Sequence, residues 1–179
     1  MNVIKFVTSA PFNMAINNIF WAGCVIGRYD LLWLVAPAIL CYVALLVYAR
    51  VIQPSQLIAP VGLGILIDSI YTALGIFQFE HHSLLLPLWM CTLWIAFATT
   101  LPLSLRLFGK NPLFAAVTGA VGFSFSYYVG YKLGAITFGL ALPWVFALVS
   151  TTWAIALPLM FKWTHTQQVM LNEVIEEAI

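Results

Sequence analysis

The sequence predicts an all-α polytopic membrane bundle of about six spanning helices with both termini cytoplasmic. Three observations predict it. Hydrophobic residues make up 63% of the chain and charged ones 7%, with a mean hydropathy of +1.01, whereas soluble domains carry roughly a quarter charged residues. Apolar windows of the ~20 residues that a spanning helix needs can be placed about six times. Lys5, Arg50, Arg106, Lys110 and Lys162 fall in one set of alternate connections, against Arg28 and Lys132 in the other. Because basic residues stay on the cytoplasmic side, this alternation places both termini inside and favours an even number of spans.

Charges and prolines bound the predicted helices at about 9 to 27, 31 to 49, 57 to 78, 84 to 105, 112 to 131 and within 138 to 161. A connection around 133 to 138 reads either as a short loop or as an extension of the fifth helix. The linkers QPSQ (53 to 56), EHHS (80 to 83) and GKNP (109 to 112) are short, so neighbouring helices should be antiparallel hairpins. At the N-terminus, Lys5, an apolar stretch and Cys24 resemble a secretory leader. Pro11, Asn13, Asn17 and Asn18 interrupt the stretch, which therefore reads as a retained first helix. Residues 1 to 162 form one domain, and 163 to 179 a short amphipathic cytoplasmic tail. There Met170, Leu171, Val174, Ile175 and Ala178 recur at helical spacing among Glu173, Glu176 and Glu177.

The net charge of +1 offers no basic patch, so no nucleic-acid partner is expected. Cys24, Cys41 and Cys91 lie inside apolar runs and read as small buried residues rather than disulfides or metal ligands. Glu80-His81-His82-Ser83 reads as a solvated interface loop, since adjacent histidines in a loop diverge and metal-ligand spacing is missing. No metal and no cofactor is expected. Trp21, Trp33, Trp89, Trp144 and Trp163 fall near span ends, as an interfacial aromatic belt does.

The chemistry concentrates at Asp68, set in LIAPVGLGILIDSIYTALGIFQF (57 to 79). Counting ~1.5 Å per residue puts it ~17 Å deep in a core ~30 Å thick. An unpaired carboxylate there costs ~3 kcal/mol or more, which marks a ligand, cation or proton site. Asn17, Asn18, Thr99, Thr100, Ser124, Ser126, Tyr127 and Ser150 to Thr152 share its slab, so these groups must turn toward one another. Asp68, Ser69, Asn17, Asn18, Thr99, Thr100, Ser126 and Tyr127 are the candidate binding residues. The hydroxyls on their own read as interhelical glue. Helix 2 offers only Cys41 and Tyr42 at that depth and should sit peripherally.

Thr118, Gly122, Ser126, Gly130 and Gly134 form a small-residue row that should let helix 5 approach Gly62, Gly64 and Gly75 of helix 3, bringing Ser126 toward Asp68. Pro87, Pro102 and Arg106 match Pro143, Pro158 and Lys162 in spacing and align Asp68 with Ser124. This could mark repeated hairpins, 57 to 106 and 113 to 162, although coincidence in so simple a composition is the preferred reading.

INNIFWAGCVIG (16 to 27), GLGILIDSIYTALGIFQF (62 to 79), PLWMCTLWIAFATTLPLSLR (87 to 106), PLFAAVTGAVGFSFSYYVGYKLGA (112 to 135) and TTWAIALPLMF (151 to 161) resemble the bacterial domain-of-unknown-function family 2878. The most specific pieces are Asp68 with Ser69, and the block from Trp89 through Trp94 to Thr99 and Thr100. The resemblance implies a small polytopic inner-membrane protein. Members often carry His-Ser near Pro102 to Ser104, and a Gly-Gly-Pro-Leu-Ser-Tyr run in place of 122 to 127, so a role needing that histidine is not carried here. Members are often encoded beside cyclopropane-fatty-acid-synthase-like and flavin amine-oxidase-like proteins, which implies a link to lipid modification or membrane stress.

Two functions follow as expectations. One is binding or movement of a small or lipid-like molecule at Asp68, with membrane lipids as partners. The other is an accessory subunit that holds a lipid-modifying enzyme through the tail and the loop from Arg106 to Lys110, with a membrane or cytoplasmic protein as partner. An intramembrane enzyme is disfavoured, because no nucleophile and base share the slab.

Overall fold

The computed structural model describes residues 3 to 80 and 85 to 177, with side chains as far as Val169. Among these residues the chain is all-α apart from one two-residue ladder. Its helices are α1 (Val3–Val7), α2 (Ala10–Tyr48), α3 (Pro54–Ala73), α4 (Leu88–Ala98), α5 (Pro112–Lys132) and α6 (Leu142–Glu177). Four of them, α2, α3, α5 and α6, are long and apolar enough to cross a membrane.

α2 consists of two helical arms joined at a kink, because Arg28 inside it is non-helical (φ 43°, ψ −124°). The two arms face each other: a Cβ on Gly23 would touch Val35 at 2.8 Å, and Asn13 Nδ2 donates to Tyr42 Oη at 3.3 Å. These are the first two predicted helices, joined by a reversal at one residue. Cys41 is exposed on the outer arm, so it does not share the burial of Cys24; Cys91 is intermediate. An exposed Cys41 fits the peripheral place expected of that arm.

Pro54 and Pro112 occupy first-turn positions of α3 and α5, where a missing N–H costs nothing. Asn111 caps α5 by accepting from the Leu113 and Phe114 amides at 2.8 and 3.4 Å. Both α3 and α5 close in the same way. Gly75 (φ 70°) and Gly134 (φ 71°) take the left-handed conformation, while the following amides, Ile76 and Ala135, reach back to the Tyr71 and Gly130 carbonyls. That is a Schellman ending, which favours glycine. The chains leaving the two helices then pair antiparallel, β1 (Phe77–Gln78) with β2 (Thr137–Phe138). A helix expected to run to 78 therefore stops at Ala73, and the connection at 133 to 138 is a loop with a strand.

The fourth predicted helix is α-helical only over Leu88–Ala98. It continues as turns to 107 and a 3₁₀ turn at Phe108–Lys110. Pro102 supplies the reason, since its ring clashes with the carbonyl four residues back, at Ala98. α6 continues through Pro158 to Glu177, so residues 163 to 177 extend the same helix. The amphipathic pattern from Met170 onward concerns side chains outside the described residues, and Ala178 lies outside them altogether.

Packing is helix on helix, with α5 along α6, α2 against α4, and α3 against both α4 and α6. In lipid, close backbone approach drives such contacts. The tightest approach of α5 is at Gly119, where a Cβ would lie 2.1 Å from the Trp153 carbonyl oxygen. A methyl added at Gly62 or Gly122 would meet nothing within 4 Å. The small-residue row therefore does not face α3; the contact runs along α6, one residue round the helix. Gly64 does mark a close approach, since a Cβ there would overlap the Trp94 ring at 2.3 Å, while one on Gly130 would meet Ile136 at an ordinary 3.6 Å. Gly134 serves as a turn.

Trp33 and Trp144 are 73% and 69% exposed, as a belt requires, but Trp89 is 3% exposed and packs edge-on against Phe79. At the same end of the bundle Arg28 pairs with Glu80 and donates to the Leu133 carbonyl at 3.2 Å. Glu80 is therefore a clasp residue; His81, His82 and Ser83 lie outside the described residues.

Candidate functional site

α3 carries Asp68 on the face turned to α4 and α6, where it is fully buried. Both of its oxygens are engaged. Trp94 Nε1 donates to Oδ2 at 2.7 Å and Tyr127 Oη donates to Oδ1 at 2.6 Å. Gly64, one helical turn before Asp68, leaves the space into which the Trp94 ring fits. Three helices thus converge on one carboxylate, and the donors come from α4 and α5.

Aromatic rings support both donors. Trp94 stacks on Trp153 at 5.0 Å, which stacks on Phe123 at 4.0 Å, and Phe77 of β1 lies 4.8 Å from the Tyr127 ring. The equivalent helix endings place Asp68 seven residues before Gly75 and Tyr127 seven before Gly134. In that register Asp68 matches Tyr127, its actual partner, rather than Ser124. Ser124 instead shares a 2.8 Å hydrogen bond with Ser150 of α6.

A partly open recess of about 80 Å³ lies on the other side of Trp94 and Tyr127. Trp21, Trp89, Phe97 and Phe123 form more of its wall, with Ser126 the polar side chain there, while Asp68 is not among its lining residues. Ser126 does not approach Asp68; it accepts from Trp21 Nε1 at 3.0 Å. Adjacent positions on a helix point ~100° apart, so Tyr127 takes the place at the carboxylate that was expected for Ser126. Trp21, expected at an interface, is one wall of the recess. Ser69 is half-buried beside Asp68.

A second polar cluster ties α2 to the segment after α4. Thr99, fully buried, accepts from Asn13 and Asn17 at 3.0 and 3.1 Å and donates to the Ala96 carbonyl. Ser104 donates to Asn13 Oδ1 at 2.6 Å, and Tyr42 completes the set by donating to the Val7 carbonyl. Thr100 is buried but bonds its own Phe97 carbonyl, and Asn18 is exposed and bonds the Met14 carbonyl. The predicted slab therefore divides in two: Asp68 with Tyr127, and Asn17 with Thr99. The second cluster has the mutual satisfaction of interhelical glue.

Sequence reasoning did not select Trp94 or Asn13. Trp94 had a signal, because counting ~1.5 Å per residue from the predicted end at 105 puts its indole N–H ~17 Å deep, level with Asp68. Asn13 was visible only as an interruption of an apolar run. Among the described residues no three His, Cys, Asp or Glu side chains cluster as a metal site would need.

The profile of a family described as proteins of unknown function, DUF2878, matches residues 10 to 159, which hold both clusters and the recess. No curated protein and no solved structure matches the chain.

Proposed function

The chain belongs to the DUF2878 family, and from that premise we propose that it is a six-span protein of the bacterial inner membrane that binds or moves a small or lipid-like molecule. The site is the recess walled by Trp94 and Tyr127, the two donors to Asp68. Both arms of α2, the broken segment from Leu88 to Lys110, and α3, α5 and α6 supply the six passes. The distribution of Lys and Arg supports cytoplasmic termini.

The observation that carries the reading is a fully buried carboxylate whose two hydrogen-bond donors are both walls of an apolar recess. A structural acid buried for glue alone has no need to hold cavity walls, and an intramembrane carboxylate marks a functional position by default. Asp68 acts here as a positioning group: it fixes the indole and the phenol, and the rings meet the ligand.

The test compares unfolding midpoints of wild type and Asp68→Asn in detergent, with and without extracted membrane lipids. Wild type should gain stability from the lipids. The asparagine variant should fold and lose most of that gain, because its amide turns one acceptor into a donor and re-aims a wall. A wild type indifferent to lipids, or an asparagine variant with the full gain, would count against the site.

A second reading, an accessory subunit for a lipid-modifying enzyme, is favoured by one feature. α6 continues for 36 residues, ~54 Å at helical rise, well beyond a core ~30 Å thick. Its projecting end is braced by Gln56, which donates to Gln168 at 3.0 Å, and by Trp163, which donates to the Ser55 carbonyl at 3.0 Å. Under that reading, deletion after Lys162 abolishes partner binding and Asp68→Asn does not.

A further inference from the structure

The recess has one polar side chain whose capacity is only half used. The Ser126 hydroxyl oxygen accepts from Trp21 Nε1 at 3.0 Å, and an indole N–H can only donate. The hydroxyl proton is therefore left to be donated. Among the described residues no acceptor takes it; other hydroxyls in spanning segments, Thr72, Thr92, Thr99 and Thr164, donate to backbone carbonyls of their own helices. Hydrocarbon cannot accept a hydrogen bond, so a hydroxyl proton facing an apolar recess finds a partner only in what enters it. Donation from Trp21 also polarises the hydroxyl and makes it a stronger donor.

The size of the recess restricts the ligand further. At about 80 Å³ it has about half the volume of an apolar cavity of ~150 Å³ that binds benzene. A segment of a flexible aliphatic chain fits such a space, with the rest of the chain lying outside its open side. Of the other polar wall groups, the Trp94 indole N–H and the Tyr127 phenol are both directed to Asp68.

Resting on the recess as the binding site, we propose that its ligand is an aliphatic chain bearing one carbonyl oxygen, which accepts the Ser126 hydroxyl while the chain lies between the aromatic walls. A lipid ester and a free chain-borne ketone share this chemistry.

The test uses the purified full chain in detergent. Binding of tritiated 2-tridecanone and of tritiated tridecane is measured by scintillation proximity for wild type, Ser126→Ala and Ser126→Thr. The proposal expects wild type to hold the ketone about fivefold more tightly than the alkane, the worth of one neutral hydrogen bond. In Ser126→Ala the ratio should fall to about one, and Ser126→Thr should restore it. Competition by a diester phosphatidylethanolamine and by its diether analogue then identifies the source: preference for the diester assigns a lipid ester, and equal competition assigns a free carbonyl chain. Equal binding of ketone and alkane by wild type, or an unchanged ratio in Ser126→Ala, overturns the carbonyl assignment while leaving the recess as a binding site. Binding of neither probe overturns the recess as well.

Discussion

Replacing Asp68 by asparagine and by alanine separates the charge of this group from its hydrogen bonds. Both substitutions remove the carboxyl group from the bundle interior, and so recover the same cost of burying it. That quantity cancels when the two variants are compared. Asparagine keeps an oxygen for the Trp94 indole, and its amide can donate to the Tyr127 phenol oxygen, so both contacts at 2.7 and 2.6 Å retain a partner. Alanine leaves the buried indole N–H and phenol O–H without acceptors, at ~1 to 3 kcal/mol for each orphaned group. Asp68→Ala should therefore be less stable than Asp68→Asn by about 2 to 6 kcal/mol. Reversible unfolding in mixed micelles, followed by circular dichroism, measures the difference. A Trp94→Phe change on each background shows whether the indole carries its share. If alanine comes within ~0.5 kcal/mol of asparagine, Asp68 does not hold these donors and the frame of the site is wrong.

Other predictions follow from local geometry and use the same unfolding assay. Gly119→Ala places a methyl 2.1 Å from the Trp153 carbonyl oxygen and should cost ~1 to 3 kcal/mol through forced separation of α5 and α6. Gly122→Ala meets nothing within 4 Å and should gain ~0.5 to 1 kcal/mol from helix propensity. Thr99→Val deprives Asn13 and Asn17 of their shared acceptor; at the ~0.6 kcal/mol average of interhelical bonds in membranes, a loss of ~1 to 2 kcal/mol is expected. Arg28→Gly and Arg28→Ala both lose the clasp to Glu80 and Leu133, but only glycine relaxes the backbone at φ 43°. Glycine should be the more stable of the two by ~1 to 3 kcal/mol.

The four long apolar helices were legible in the sequence because hydrophobic length is a one-dimensional signal. The reversal at Arg28 and the Gly75 and Gly134 endings moved boundaries by a few residues, as turn geometry does. Asp68 was legible for a similar reason: a carboxylate in an apolar run is costly wherever the neighbours lie. Its partners were harder to find, since depth fixes only one coordinate and helix rotation is set by packing. Ser126 and Tyr127 share a depth, yet one faces the recess and the other the carboxylate. The same ~100° step separates Thr118 of the visible small-residue row from the contact at Gly119. Trp94 was hidden by its dual character, because a tryptophan in an apolar run reads as bulk until its N–H needs an acceptor.

The central claim is that a ligand lies against walls held by Asp68. It is tested most directly by indole N–H resonances of ¹⁵N-tryptophan-labelled protein, recorded with and without extracted membrane lipids. The account predicts that the Trp21 and Trp94 resonances move on addition of lipid, while those of Trp33 and Trp144, 73% and 69% exposed on the outer surface, stay within the shift that the detergent alone produces. Movement confined to Trp33 and Trp144, with Trp21 and Trp94 unchanged, would show lipid coating the bundle without entering the recess and would contradict the account.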